Sequence, residues 1–505
     1  MAVQNHALWY NTSQPHPPKS MTAARPAQNL TIFAYRYCMK LTDNRSRSTV
    51  VFMLFSAWLI SLPYEGQVLY ALFNRYGVEP AQGVLGAIIA QLLGMICCMF
   101  IAKSIWKAKR ILVGSTLICL FGSIFFFFQV PFVLRIVLLV ISFVSGFFIP
   151  AWGYFYRAYT PSGERMGTIA KALAFSSLIM IPVNLCAVYF SAHLALCLDI
   201  ALLVLVLIVL EKIDVPQQPA ERDIRRLEHV SQPQTLFALC CFILVITVNS
   251  GLMFQVIMPA YSQIGIFADF YWAVPYIAAI LLVNRFGGRA KNPYLLYVAI
   301  SMLGFAFVAF SAFERSFWSY LLVDTLLLGA CGINDLFWWS ILGEMLDFDQ
   351  NPARTFGIGL GANVAGVLLG KFIGALPVFA RSAQASTLLG MAIVCFAVML
   401  MPPLHRQLSL VIRKNTFLVS LSSLPPEQQQ ETVARIGGET DLSERESEIA
   451  MLLLKGYPYK LIASRLYISE STVKSHVQNI YGKLGIHSRT ELIEQFSASG
   501  GSTFS

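Results

Sequence analysis

From Val50 to Leu404 the chain repeats one pattern, an apolar run about as long as a membrane-crossing helix followed by a short polar break. A helix needs about 20 mostly apolar residues to cross the hydrocarbon of a bilayer, and inside that layer its backbone must satisfy its own hydrogen bonds. Serial runs of this length therefore leave one fold class open, a polytopic α-helical bundle. The runs fall at about 50–74, 80–102, 111–129, 131–156, 167–190, 192–210, 235–258, 265–284, 293–313, 317–346, 355–380 and 384–404, which predicts twelve spans. A hydrophobic content of 56% with only 13% charged residues excludes a soluble globular chain of this length. The 37 Phe, 16 Met and 8 Trp suit lipid-facing and interfacial positions. The expected fold is all-α, a twelve-helix membrane bundle followed by a small four-helix domain.

Residues 1–48 read as a polar, partly basic cytoplasmic tail with no early apolar core of a cleaved signal peptide. The long polar break at 211–234 divides the membrane region 49–404 into halves at 49–210 and 235–404. A shift of about 185 residues carries the first half onto the second, and the basic loop 103–110 onto the loop 284–292, as a duplicated half would. Short loops set orientation by their Lys and Arg. The tail (Arg36, Lys40, Arg45, Arg47), the loops with Lys103, Arg110, Arg157 and Arg165, the central loop and the segment after Leu404 all fall on one side. Both ends are expected in the cytoplasm. The net charge of +10 is thus accounted for by topology and does not by itself point to nucleic acid.

The six-plus-six plan and the basic loops after the second and eighth runs resemble the major facilitator superfamily of transporters. Asn284-Arg285-Phe286-Gly287-Gly288-Arg289 is similar to a degenerate copy of that family's Asp-Arg-x-Gly-Arg loop, with Asn in place of the acid. The resemblance implies a central cavity lined by helices one, four, seven and ten. Polar groups inside spans are costly and point to a site or a buried partner. Glu65, Asn249, Asp324 and Asp335 fall on those helices and are the candidate ligand-binding residues. They would favour a cationic or hydrogen-bond-donating small molecule, or they pair with Lys171 and Lys371 to lock the bundle.

Residues 405–438 read as a linker, with a reach of about 30 to 35 Å if fully flexible. Beyond it, at 439–498, the pattern changes to a small soluble domain. Ser443-Glu-Arg-Glu446 and Ser488-Arg-Thr-Glu491 are capping boxes. Tyr459 to Leu466 predicts a second helix, and Ser469 caps a third in which Val473, Val477, Ile480 and Leu484 form an apolar stripe. Four short helices with a tight link between the second and third describe a helix-turn-helix.

This segment closely resembles the LuxR-type (GerE-like) domain of bacterial transcription regulators, through Leu442-Ser-Glu-Arg-Glu446, Leu461-Ile-Ala463, Ile468-Ser-Glu470, Thr472-Val-Lys474, His476-Val477 and Lys483-Leu-Gly485. The resemblance implies base contacts from Lys474, Ser475 and Gln478, phosphate contacts from Ser471, Thr472, His476 and Lys483, and dimerisation through the fourth helix. Charge agrees locally. From 460 to 489 five basic residues (Lys460, Arg465, Lys474, Lys483, Arg489) face one acidic residue, Glu470.

The ten cysteines lie almost all within apolar runs, in no metal-ligand or disulfide spacing, and no nucleophile or phosphate-loop motif appears. No catalytic residue, metal or cofactor is expected, and the chain does not read as an enzyme. It reads as a multi-pass regulator of the bacterial inner membrane. Its expected partners are double-stranded DNA, the lipid bilayer, an unknown small-molecule ligand and a second copy on DNA. A secondary transporter with a DNA-binding appendage is the alternative.

Overall fold

The computed structural model describes residues 43–64, 66–78, 80–215, 233–265, 270–286, 294–347, 349, 351–423, 427–429, 433, 442–455, 457 and 459–500. The tail 1–42, most of the central loop, most of the loop 284–292 and Glu65 lie outside them. Among the described residues all regular elements are helical. The bundle comprises α1 (Asn44–Ser61), α2 (Gln67–Arg75), α3 (Pro80–Ile101), α4 (Ile105–Ile124), α5 (Pro131–Tyr159), α6 (Arg165–Leu185), α7 (Ala192–Glu211), α8 (Pro233–Leu252), α9 (Ala273–Arg285), α10 (Tyr294–Ala312), α11 (Phe317–Met345), α12 (Pro352–Ala375) and α13 (Ala383–Ser423). The C-terminal domain adds α14 (Glu444–Leu454), α15 (Tyr459–Leu466), α16 (Glu470–Leu484) and α17 (Arg489–Gly500).

Among the described residues ten helices are long and apolar enough to cross a membrane, where the hydropathy pattern predicts twelve spans. The first expected span, 50–74, is broken into α1 and α2. Pro63 disfavours helical backbone at the residue before it. Gly66 then approaches so closely that a Cβ would stand 1.7 Å from the Ser61 carbonyl oxygen. The eighth expected span, 265–284, is the 13-residue α9. Gly265, at φ +67°, cannot belong to a right-handed helix, so the first residue of that apolar run lies outside any helix.

Helix packing repeats between the halves. The contacts of α1 with α6 and α7 recur as those of α8 with α12 and α13, α3–α5 recurs as α9–α11, and α4–α5 as α10–α11. The halves meet through α3–α12 and α6–α9, two contacts that the same two-fold relation exchanges.

The basic loop residues gather at one end. Lys109 Nζ donates to the Ile213 carbonyl at 2.7 Å, and Asn44 Nδ2 donates to the Asp214 carbonyl at 3.4 Å. Arg165, at the start of α6, crosses to the other half and grips Asp347 with two hydrogen bonds of 2.8 and 2.7 Å. Its side chain is only 3% exposed, and it also donates to the Gly343 carbonyl at 2.7 Å.

The expected linker is in part helical. The helix of the last span does not stop near Leu404 but runs on to Ser423 as one element of 41 residues. No Gly or Pro falls between Leu404 and Leu424, so nothing local ends it before Pro425. The extension carries the helix roughly 28 Å past Leu404. Leu421, near its end, is buried in the C-terminal core together with Val433, Ile449, Leu453, Val477, Leu492 and Phe496.

Candidate nucleic-acid interface and membrane cavity

The C-terminal domain is assembled from its caps inward. Ser443 Oγ accepts from the Glu446 N–H at 3.3 Å, and Glu446 Oε2 accepts from the Ser443 N–H at 2.8 Å, which fixes the start of α14. The same oxygen receives Lys483 Nζ at 2.7 Å. Burial works to raise the Glu446 pKa, but the Lys483 ammonium and the Ser443 N–H outweigh it and hold the carboxyl below its ordinary range. At the other box, Glu491 accepts from the His487 N–H at 2.8 Å and from Ser488 Oγ at 2.9 Å, which lowers its pKa too.

The turn between α15 and α16 sets the angle at which α16 is offered. Tyr467 takes φ +54°, and the Ile468 N–H reaches back to the Ala463 carbonyl at 3.0 Å, the closing bond of a Schellman motif. A residue bearing a Cβ costs about 1–2 kcal/mol in this left-handed region. Arg445 Nη2 supports the turn by donating to the Leu466 carbonyl at 2.9 Å.

Helix α16 is capped at both ends. Ser469 Oγ accepts from the Thr472 N–H at 3.0 Å, and Gly485 at φ +65° supplies the left-handed C-terminal residue that glycine adopts without strain. Val473, Val477, Ile480 and Leu484 are buried. Ser471, Thr472, Lys474, Ser475 and Gln478 are exposed, and His476 is half-buried. Lys474 Nζ lies 3.5 Å from Glu470 Oε1, with both side chains about half exposed. Such an exposed pair contributes little stability and is readily exchanged for another anion. The arrangement offers one straight, pre-ordered polar face, of the size that fits a DNA major groove.

In the membrane bundle, Asp335 of α11 borders a cavity of about 190 Å³ between the halves. Tyr276 of α9 donates to it at 2.7 Å. Asn249 and Asp324 are buried, at 1% and 2% exposure, and are not among its wall residues. Lys171 is exposed, and Lys371 sits 5.5 Å from the Phe254 ring. Of the four residues expected at a ligand site, Asp335 lines this cavity, and Glu65 lies outside the described residues.

The model of a family of bacterial regulatory proteins, the luxR family, matches residues 440–496. These residues are a LuxR-family domain. The Fimbriae Z protein of Escherichia coli (strain K12) is 51% identical over 55 residues, which are 11% of this chain and 26% of that protein. The transcriptional regulatory protein DegU of Brevibacillus brevis is 41% identical over 59 residues, 12% of this chain and 25% of its own length. The chain thus spans about a quarter of the length of these curated relatives. The bundle is similar in fold to the crystal structure of the human organic anion transporter MFSD10 (TETRAN), with a TM-score of 0.54 and 13% identity over 72% of this chain and 98% of that one.

In the LuxR-family domain, the expected base-contacting residues Lys474, Ser475 and Gln478 share the open face of α16 with Ser471 and Thr472. Lys483, also expected at phosphate, is 40% exposed and pairs with Glu446 at 2.7 Å. No local signal in the sequence says that the capping-box acid thirty-seven residues before Lys483 pairs with it. In the sequence Arg165 reads as a loop charge. Its burial against Asp347 depends on how the two halves meet, which the hydropathy pattern does not encode.

Proposed function

We propose that this protein is a membrane-embedded regulator of transcription that reads double-stranded DNA through its LuxR-family domain and takes its signal from the bundle. The observation that carries the reading is α16, a helix capped at both ends whose exposed face holds Lys474, Ser475 and Gln478. On this reading those three residues meet base edges, Gln478 preferring adenine. Ser471, Thr472 and His476 meet phosphates near the positive end of the helix dipole. α17 joins two copies on a two-fold site, and both chain ends lie in the cytoplasm of a bacterial inner membrane.

The continuity of α13 supports coupling between the parts. One helix contains the last span and ends with Leu421 in the core of the DNA-binding domain. A change in the tilt or rotation of that span is then delivered to the domain as a rigid movement. The cavity at Asp335, between the halves, is the place where a small molecule would bias the two packings of the bundle.

The test is selection of random DNA duplexes on the full-length protein in lipid nanodiscs. Enrichment of a two-fold sequence motif is expected, lost in Lys474→Ala and relaxed at one base pair in Gln478→Ala, a change worth about 1–3 kcal/mol of discrimination. No enrichment over the Lys474→Ala protein would refute DNA reading. The transporter-like fold favours a second reading, a transporter with a DNA-binding appendage. Substrate flux in vesicles that persists after removal of 405–505 would favour it.

A further inference from the structure

Asp335 is placed unlike a surface acid. Its cavity is walled by residues of α1, α5, α6, α9 and α11 and by Trp272 just before α9, and none of the wall residues is Lys, Arg or His. The carboxylate therefore has no resident cation among these walls, only the phenol of Tyr276 at 2.7 Å. Removing a carboxylate from water with so little compensation is costly, and a cation in the cavity would relieve that cost.

The rest of the wall suits a particular kind of cation. Phe52, Trp272, Tyr276 and Trp339 are aromatic wall residues, and Trp339 meets Phe52 edge to face with centroids 5.4 Å apart. Aromatic faces attract cations most strongly when the cation carries little water, as organic ammonium groups do. Ser56 is also a wall residue, 6% exposed. The Ser176 and Ser177 hydroxyls donate to the Leu173 carbonyl at 2.9 and 3.1 Å, which leaves their oxygens free to accept.

We infer that this cavity binds a small organic ammonium ion, its head held between the Asp335 carboxylate and the aromatic walls. The cavity of about 190 Å³ has the volume of about six waters in the liquid, so the occupant is the size of a short alkylammonium. The inference rests on the cavity being the sensory site of the proposed function. It is tested with no DNA present, so that its failure and that of the regulator reading are separate results.

The experiment uses full-length protein in nanodiscs, titrated with tetramethylammonium, choline and the uncharged carbon isostere of choline. Melting temperature and tryptophan fluorescence are recorded. The ammonium ions raise the melting temperature and quench fluorescence in a dose-dependent way, and the isostere does neither. Asp335→Asn weakens the response at least about tenfold, the loss expected for a charged hydrogen bond. Trp339→Phe keeps it and Trp339→Ala loses it, a comparison that stands even if Asp335→Asn does not fold. An equal response to the isostere, an undiminished response in Asp335→Asn, or no response to either ammonium up to about 10 mM overturns the inference.

Discussion

Lys483, in the last turn of α16, donates to Glu446, in the first turn of α14, across 2.7 Å. The Glu446 side chain is 6% exposed and that of Lys483 40%. One carboxylate thus closes a helix cap and ties the DNA-facing helix to the body of its domain.

Replacing Lys483 by Met leaves the Glu446 carboxylate buried without its cation. The C-terminal domain should lose about 1–3 kcal/mol of stability, read by hydrogen exchange over residues 442–496. DNA affinity at a stabilising temperature should change little. Unchanged exchange, with a salt dependence of DNA binding reduced by about one unit of slope, would instead mark Lys483 as a phosphate contact.

The same pair gives the domain an acid limit. Glu446 and Glu491 both have folded pKa values below the ordinary one, which is about 4.3 for an unfolded Glu. Their stabilisation is complete above that value and is lost as pH falls through the lower folded value. Exchange protection of 442–496 should therefore hold from pH 7 to about 5 and decline below, and the decline should be shallower in Glu446→Gln. An equally steep decline in that variant would mean that other groups carry it.

Arg165→Leu removes the buried cation of a pair between the halves; because the acid left behind, Asp347, is 37% exposed, the loss should fall below the ~3–5 kcal/mol of a fully buried pair. A marked fall in the melting temperature of the bundle is expected, with partial recovery when Arg165→Asp is combined with Asp347→Arg. A melting temperature unchanged by Arg165→Leu would show that the halves are held elsewhere.

Continuity of α13 predicts a phase effect. Two residues inserted after Ser409 rotate everything beyond by about 200°, whereas seven restore the phase to within about 20°. Regulation of a reporter should be lost with the first insertion and kept with the second. Equal behaviour of the two would restore the flexible tether of about 30 to 35 Å.

The legible parts of this chain were those encoded by local periodicity and caps. Ser443, Glu446, Ser469 and Gly485 announce the ends of α14 and α16, and hydropathy alone marks most of the spans. The break at Pro63 and Gly66 was present in the sequence but masked by the apolar residues on both sides. The extension of α13 was hidden by Pro402 and Pro403, which signal a helix end yet lie inside the helix. The partners of Arg165 and Lys483 depend on packing between distant elements, which no sequence period reports.

Mapping of genomic DNA crosslinked to the intact membrane protein in living cells, wild type against Lys474→Ala, tests the central claim most directly. Discrete enriched sites sharing a two-fold motif, absent from the variant, are expected. A wild-type profile indistinguishable from that of Lys474→Ala would contradict the reading of α16 as a DNA-reading helix switched from within the membrane.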